Sequence, residues 1–202
     1  MTYTKNALII FIKNPQLGKV KTRLARTLGD EKALEIYHEL SDITHKNTAI
    51  LRGVKCCVFY SDFIDKTDNW SSKYFEKWVQ QGDDLGARMA NAFAHIFEKH
   101  EKVCIIGSDC PTLSPTILQE AFQALENKDC VIGPSTDGGY YLLGISKNVS
   151  DYASLFENMA WSTESVLSET IKRISDKGKS IYFLPELTDI DEEKDWVAFK
   201  NQ

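Results

Sequence analysis

The sequence lacks the signatures of several large enzyme classes. It has no Gly-x-x-x-x-Gly-Lys-Ser/Thr motif, because only Gly18 precedes Lys19 and Val20 follows it, and this disfavours a P-loop kinase or ATPase. It has no Gly-x-Gly-x-x-Gly motif either, which disfavours a dinucleotide-dependent oxidoreductase. Gly-x-Ser-x-Gly is also missing, so the nucleophile of an α/β-hydrolase has no counterpart here.

Cysteine pairs, long apolar runs and an excess of positive charge are missing as well. The 5 cysteines are an odd number without Cys-x-x-Cys spacing, which indicates neither a disulfide framework nor a zinc site. The first apolar run, Ala7–Ile12, is too short for a signal peptide or a membrane span, so we expect a soluble cytoplasmic protein without a membrane span. A formal net charge of −5 argues against general nucleic-acid binding.

Apolar runs that are typical of strands alternate along the chain with segments of helical periodicity. We predict strands at 7–12, 54–60, 78–79, 103–106, 130–133, 140–143 and 181–184. We predict helices over 30–51, 84–99 and 164–176, a further helix that begins at Ser114-Pro115, and a short acidic helix at the C-terminus. This alternation predicts one α/β domain over residues 1–202, a three-layer sandwich with a mostly parallel sheet and helices on both faces.

A basic segment follows the first predicted strand directly. Between residues 13 and 26 there are five cations and no acid, and the cations are Lys13, Lys19, Lys21, Arg23 and Arg26. Loops at the carboxyl ends of strands in open α/β sheets are where ligands bind. On a protein of negative net charge, this local positive charge predicts a site for a small phosphorylated ligand, with Lys13 among the binding residues. The alternative is a solvated basic turn.

A carboxylate follows the predicted central strand at 103–106, in Gly107-Ser108-Asp109-Cys110-Pro111. Mg²⁺ is usually bound by one or two carboxylates together with substrate phosphates, so Asp109 would complement the basic loop through a metal ion. The alternative is that Asp109 only stabilises the turn before Pro111. Asp189 and Asp191 begin the last predicted helix, and either could supply a second metal contact. An acidic first turn explains them equally well.

The sequence Asp137-Gly138-Gly139 joins two apolar runs. Asp-Gly is a strong hairpin signal, so a simple β-turn explains the segment. Two successive glycines also allow a close approach of the backbone to a ligand, which makes Gly138 and Gly139 candidate nucleotide-binding residues. Asp137 beside them could act as a general base or bind a hydroxyl group of an acceptor.

Six ordered motifs together resemble a family of bacterial transferases with the nucleotide-diphospho-sugar transferase (GT-A type) fold, described as glycosyltransferases or selenium-domain-associated transferases. The motifs are Lys13-x-Pro15-x-x-Gly18-x-Val20-Lys21-Thr22-Arg23-Leu24, Asp84-Leu85-Gly86-x-Arg88-Met89, Gly107-Ser108-Asp109-Cys110-Pro111, Asp137-Gly138-Gly139-Tyr140-Tyr141, Trp161-Ser162-Thr163 and Asp189-Ile190-Asp191. The first motif is also similar to the basic loop of phospholactate guanylyltransferases and molybdenum-cofactor nucleotidyltransferases.

The resemblance implies roles for individual residues. Gly18, Lys19, Lys21 and Arg23 would hold the donor phosphates, Asp109 would bind the metal, and Asp191 would be a second ligand. The first loop contains one glycine where many sugar nucleotidyltransferases have a glycine-rich loop, so their base specificity does not carry over.

We therefore expect a transferase that depends on Mg²⁺ (or Mn²⁺) and uses a nucleotide donor. The density of cations favours nucleotidyl transfer from an NTP to a small phosphorylated or hydroxylated acceptor, with Lys21, Arg23 and Asp137 as catalytic residues. Glycosyl transfer from an NDP-sugar is the near alternative. A non-catalytic nucleotide-binding protein is a further alternative, because a fold does not determine a function.

Overall fold

The structure of the protein is a computed structural model that describes residues 4–201. Within these residues the chain forms seven strands, six α-helices and one short 3₁₀ helix. The strands are β1 (Asn6–Ile12), β2 (Val54–Tyr60), β3 (Phe75–Val79), β4 (Lys102–Ile106), β5 (Cys130–Pro134), β6 (Tyr140–Ser146) and β7 (Ile181–Phe183). The helices are α1 (Thr22–Leu28), α2 (Asp30–Ala49), α3 (Leu85–Phe97), α4 (Pro115–Ala124), α5 (Val166–Asp176) and α6 (Glu193–Lys200), with the 3₁₀ helix at Tyr152–Leu155.

All seven strands belong to one sheet in the order β3-β2-β1-β4-β6-β5-β7. β6 runs antiparallel to both of its neighbours, and the remaining strand pairs are parallel. The mostly parallel sheet that the sequence predicts is therefore confirmed. The exception, β6, arises because a tight turn joins β5 to β6, and a two-strand hairpin is necessarily antiparallel.

Helices cover both faces of the sheet, as the three-layer prediction requires. In β1, Leu8 and Ile10 pack on the face covered by α4, whereas Ala7 and Ile9 pack on the face covered by α3 and α5. This alternation of completely buried side chains on both faces explains why β1 is a continuous apolar run. A third cluster joins α1, α2 and α6 beside the sheet, around Leu24, and it fixes the position of the basic segment.

Several helix boundaries differ from the sequence-based prediction. The helix predicted from residue 164 begins at Val166, because Thr163 forms a local turn in which its hydroxyl donates to the carbonyl of Ala160 at 2.7 Å. Helix α2 ends at Ala49, two residues before the predicted Leu51, and α3 spans Leu85–Phe97 instead of 84–99. The last helix begins at Glu193 and not at Asp189, because the amide of Ile190 bonds to the carbonyl of Asp109 and Glu192 caps the helix. Helix boundaries are the least certain part of a sequence-based prediction.

Candidate functional site

A crevice of about 1050 Å³ opens at the carboxyl ends of the central strands. β1 and β4 are neighbours in the sheet, yet β1 continues along the chain to β2 on its other side. The loops that leave β1 and β4 therefore diverge and leave a gap between them, which is the position where open α/β sheets bind ligands. A second concavity, of about 830 Å³, lies along edge strand β3 and contains none of the predicted site residues.

The side chain of Lys21 is the electrostatic centre of this crevice. Its Nζ lies 2.7 Å from Asp109 Oδ1 and 3.6 Å from Asp191 Oδ1, and it donates to the carbonyl of Ile190 at 2.6 Å. The side chain is only 5% exposed, so these contacts replace most of the water around the ammonium group. Lys21 has a left-handed backbone (φ 48°) at the residue before α1, a conformation that is uncommon for a residue other than glycine.

Backbone and side-chain contacts join the three segments that meet at Lys21. The amide of Ile190 donates to the carbonyl of Asp109 at 2.9 Å, and Arg23 Nη1 lies 3.0 Å from Asp191 Oδ2. Asp109 and Asp191, which are 82 residues apart in the sequence, therefore share one cation. The three candidate residues of the basic, central and C-terminal motifs form one cluster.

Asp189 adds a further carboxyl group to this cluster. Ser135, which is buried, donates its hydroxyl to Asp189 Oδ2 at 3.3 Å. Burial and, after it, the charges of Asp109 and Asp137 raise the pKa of Asp189 to about 7, while Lys21 acts in the opposite direction. The site therefore holds more carboxylates than its cations neutralise, which suits the binding of a divalent cation.

The turn between β5 and β6 also contributes to the lining of the crevice. Asp137 Oδ1 accepts a hydrogen bond from the amide of Gly139 at 2.9 Å, which fixes the direction of the carboxylate. Gly138 has a positive φ of 85°, and a Cβ atom there would lie 2.4 Å from the carbonyl oxygen of Glu164. Gly138 thus permits the turn to pack against the segment before α5, whereas Asp137 and Gly139 line the crevice.

A second glycine, Gly86 in α3, is needed where that helix packs against the segment between the 3₁₀ helix and α5. A Cβ atom on Gly86 would lie 2.5 Å from the carbonyl oxygen of Phe156 and 2.8 Å from Trp161 Nε1. The motif around Gly86 therefore allows α3 to approach the wall of the crevice that carries Trp161, Ser162 and Thr163. Asp84 caps α3 by accepting from the amide of Ala87 at 2.8 Å, so the acid of this motif has a structural role.

The structure brings most of the predicted site residues together and leaves a few outside. The predicted residues that line the crevice are Lys13, Lys21, Arg23, Asp109, Asp137, Gly139 and Asp191. Those that do not line it are Gly18, Lys19 and Gly138. Gly18 faces Asp30 at the start of α2, since a Cβ atom on Gly18 would lie 3.4 Å from Asp30 Oδ2. Lys19 is exposed on the outside of the loop.

Tyr37 is a crevice residue that sequence reasoning missed. Its hydroxyl accepts from the amide of Lys13 at 2.9 Å and donates to the carbonyl of the same residue at 2.6 Å. Burial and the nearby charge of Asp109 raise the pKa of Tyr37, so the hydroxyl keeps its proton. In the sequence, Tyr37 is one of several apolar positions on the buried face of α2, and nothing distinguishes it from a core residue.

The protein's own donors do not form a complete metal site. Among residues 4–201 there is no group of three or more His, Cys, Asp or Glu side chains arranged to hold a metal ion. Mg²⁺, however, usually takes only one or two ligands from the protein and the others from water and substrate phosphates. The carboxylates of Asp109 and Asp191, which both lie within 3.6 Å of the same ammonium group, fit that kind of binding.

A family model described as "uncharacterized protein conserved in bacteria (DUF2064)" matches residues 44–163, which is more than half of the chain. The chain belongs to this family. No protein with a curated description matches the sequence. Within residues 4–201, no helix has the length and apolar character needed to cross a bilayer.

Solved structures show the fold class. The chain is similar to a protein from Desulfovibrio desulfuricans G20 described as a nucleotide-diphospho-sugar transferase, with 29% identity and a TM-score of 0.85 over 94% of this chain and 83% of the other. It resembles 4-diphosphocytidyl-2C-methyl-D-erythritol synthase from Anaerococcus prevotii DSM 20548, with 11% identity and a TM-score of 0.62 over 98% and 97% of the two chains. It also resembles the inositol-1-phosphate CTP transferase from T. maritima, with 14% identity and a TM-score of 0.58 over 96% and 92%. The nucleotide-diphospho-sugar transferase fold is therefore confirmed.

Proposed function

We propose that this protein is a nucleotide-using transferase and that the crevice beside Lys21 is its active site. The observation that carries the proposal is the cluster of Lys21 with Asp109 and Asp191, which lies where the loops that follow β1 and β4 diverge. The likeness to a protein described as a nucleotide-diphospho-sugar transferase and to cytidylyltransferases supports the same class of donor. Lys13, Lys21 and Arg23 line the crevice and could bind phosphates, and the same crevice also presents carboxylates and hydroxyls.

The reaction that we favour is nucleotidyl transfer from an NTP. A hydroxyl group of the acceptor attacks the α-phosphorus, the bond to the bridging oxygen of the β-phosphate breaks, and pyrophosphate leaves. Lys13, Lys21 and Arg23 line the crevice and would neutralise the charge that develops on the leaving group. Asp137, which is fixed by the amide of Gly139, would accept the proton of the attacking hydroxyl.

Mg²⁺ is part of this proposal. Asp109 and Asp191 would hold the ion together with the donor phosphates, and the ion would neutralise phosphate charge when it is bound. In the structure the ammonium group of Lys21 already contacts both carboxylates. Lys21 therefore keeps these two side chains in place near each other in the absence of a donor, so that little reorganisation is needed when the donor binds.

We also propose the chemical class of the acceptor. The turn that carries Asp137 and the segment from Trp161 to Glu164 line the crevice, and we propose that the acceptor binds against them. No lysine or arginine of these two segments lines the crevice within the described residues. A phosphorylated acceptor would find carboxylates there instead of cations, so we propose an acceptor that offers hydroxyl groups and carries no phosphate.

The experiment is to identify the product released from NTPs and from NDP-sugars, with and without Mg²⁺. We expect pyrophosphate from an NTP, and we expect Asp109→Asn to lose at least about a hundredfold in Mg²⁺-dependent rate, the size of effect seen when one charge-stabilising group is removed. Asp176→Asn is a matched control, because Asp176 forms an exposed ion pair with Lys172 on α5 outside the crevice. Full activity in Asp109→Asn would contradict the proposed site.

Glycosyl transfer is the second candidate, and the description of the D. desulfuricans protein favours it. In that reaction the bond between the sugar and the phosphate breaks and NDP leaves, so activation of the acceptor hydroxyl by Asp137 becomes the larger contribution. Release of NDP from a nucleotide sugar, together with near inactivity of Asp137→Asn, would replace nucleotidyl transfer by this reaction. Pyrophosphate release with only a moderate defect in Asp137→Asn would support nucleotidyl transfer over glycosyl transfer.

A further inference from the structure

Asn14 is a buried polar residue at the beginning of the basic loop, and its side-chain hydrogen bonds are made to residues outside the crevice. It is 3% exposed, and a buried amide must be hydrogen-bonded to be tolerated. Its Nδ2 donates to the carbonyl of Phe63 at 2.9 Å, and its Oδ1 accepts from the amides of Asp62 at 3.0 Å and Phe63 at 3.2 Å. Its own amide donates to Ser61 Oγ at 3.0 Å. The turn at 61–63, which follows β2, is therefore bound to the loop that follows β1.

Neither Asn14 nor the 61–63 turn lines the crevice. The residue before Asn14 does: Lys13 has an exposed side chain at the crevice wall, and both of its backbone polar groups are bound by the hydroxyl of Tyr37. The beginning of the basic loop is thus held from two directions, by α2 through Tyr37 and by the turn after β2 through Asn14. Its end is held by the bond from Lys21 Nζ to the carbonyl of Ile190.

We propose that Asn14 is a positioning residue for the donor phosphates and that it acts through Ser61 and the 61–63 turn. This inference rests on the proposed function. A loop that is held at both ends presents its cations in a fixed arrangement, so binding a phosphate chain costs less conformational entropy than it would for a free loop. The turn after β2 therefore contributes to nucleotide affinity although none of its residues contacts the nucleotide.

The test compares two variants that loosen this anchor with one that loosens a similar anchor elsewhere. Asn14→Ala removes every bond made by the Asn14 side chain, and Ser61→Ala removes the hydroxyl that accepts from the amide of Asn14 and donates to its Oδ1. Ser180→Ala is the matched control: its hydroxyl donates to Asp129 Oδ2 at 2.7 Å and accepts from the amide of Asp129 at 3.1 Å. That contact joins the segments that precede β5 and β7, at the end of the sheet opposite the crevice.

The probe is inorganic triphosphate with Mg²⁺, measured by isothermal titration calorimetry at a temperature where every variant is folded. We expect the dissociation constant to rise about tenfold in Asn14→Ala and about threefold in Ser61→Ala, and to stay unchanged in Ser180→Ala, because only the first two release the phosphate-binding loop. Inorganic monophosphate should show a smaller loss, since it contacts fewer of the cations that the loop arranges. A merely structural role would lower the thermal midpoint of all three variants without this difference in affinity.

Each outcome decides the inference. Affinity equal to that of the wild type in both Asn14→Ala and Ser61→Ala would overturn it, while the proposed function would stand. An equal loss in Ser180→Ala would also overturn it, because general destabilisation would then be the cause. If Asn14→Ala does not fold, Ser61→Ala alone decides. A wild-type protein that binds no triphosphate in the presence of Mg²⁺ would overturn the inference and the proposed function together.

Discussion

At the scale of single residues, the most informative side chain is Lys21, because its ammonium group is nearly inaccessible to water. An ammonium group that is 5% exposed loses much of its hydration, and the two carboxylates and the carbonyl of Ile190 compensate for that loss. Asp109 and Asp191 remain 45% and 35% exposed, so solvent screens their side of the contact. Removing one partner of this cluster should therefore cost more than breaking a surface ion pair and less than breaking a fully buried one.

The burial of the Lys21 ammonium group beside partly exposed carboxylates predicts the effect of Lys21→Met, which keeps the length of the side chain and removes its charge. We expect a decrease in the free energy of unfolding of about 1–3 kcal/mol, since two carboxylates and one carbonyl lose their partner. Arg23→Ala, whose side chain is 52% exposed, should cost less than about 1 kcal/mol. Urea denaturation at neutral pH measures both values. A smaller loss in Lys21→Met than in Arg23→Ala would contradict this description of the cluster.

The sequence predicted the site at this scale only in part. Charge and position after a strand made Lys13, Lys21, Arg23 and Asp109 candidates, and Asp191 became one through the acidic C-terminal motif and the resemblance. All five line the crevice. Tyr37 and Asn14 could not be found in this way. Tyr37 lies on the apolar face of a helix, and the hydrogen bonds of Asn14 reach 47 to 49 residues along the chain.

At the scale of elements, apolar runs located all of the central strands, since strands buried on both faces are continuously hydrophobic. β3 was predicted only at 78–79 and extends from Phe75 to Val79, because Glu76 and Lys77 interrupt its apolar pattern at the edge of the sheet. Helix α1 was not predicted as an element of its own. It is 7 residues long, begins at a left-handed Lys21 without a side-chain cap, and has one buried residue, so it carries no periodic signal.

The turn between β5 and β6 provides a prediction for an element–element contact. Gly138→Ala combines an unfavourable positive φ with a Cβ atom 2.4 Å from the carbonyl oxygen of Glu164. We expect a loss of roughly 3 kcal/mol or more in the free energy of unfolding, because strain and a steric clash act together. Gly53→Ala is the matched control: its φ is 71°, but no atom lies within 4 Å of the added methyl group. It should cost only about 1–2 kcal/mol.

Chemical denaturation of the two glycine variants separates strain from packing. Equal losses would show that the turn does not depend on its close contact with the segment before α5. A larger loss in Gly138→Ala would show that Gly138 is needed for the turn to pack against the segment before α5. The hairpin was predictable from Asp-Gly, whereas the contact with Glu164 was not, because it depends on how two distant segments pack.

At the scale of the whole molecule, charge is distributed unevenly over a protein of net charge −5. Within the described residues, the cations that line the crevice are Lys13, Lys21, Arg23 and Lys194, and they come from the basic segment and from the start of α6. Asp137 and Glu164 also line the crevice, and neither belongs to an ion pair within residues 4–201, whereas Asp109 and Asp191 are paired with Lys21. A phosphate group beside Asp137 and Glu164 would therefore meet unpaired negative charge, whereas the basic segment offers cations to a phosphate chain.

The last prediction uses this asymmetry. In a panel of small alcohols, polyols and sugars, each paired with its phosphomonoester, we expect the wild-type enzyme to prefer the unphosphorylated member by about tenfold in kcat/KM, since each carboxylate near a phosphate costs on the order of 1 kcal/mol. Glu164→Lys should reduce or reverse the preference, because it places a cation at the acceptor wall. Glu157→Lys changes charge equally in the same loop but outside the crevice, and it should leave the preference unchanged. Initial rates of pyrophosphate or NDP release measure all three, and a wild-type preference for the phosphomonoesters would show that the acceptor binds by contacts other than this wall.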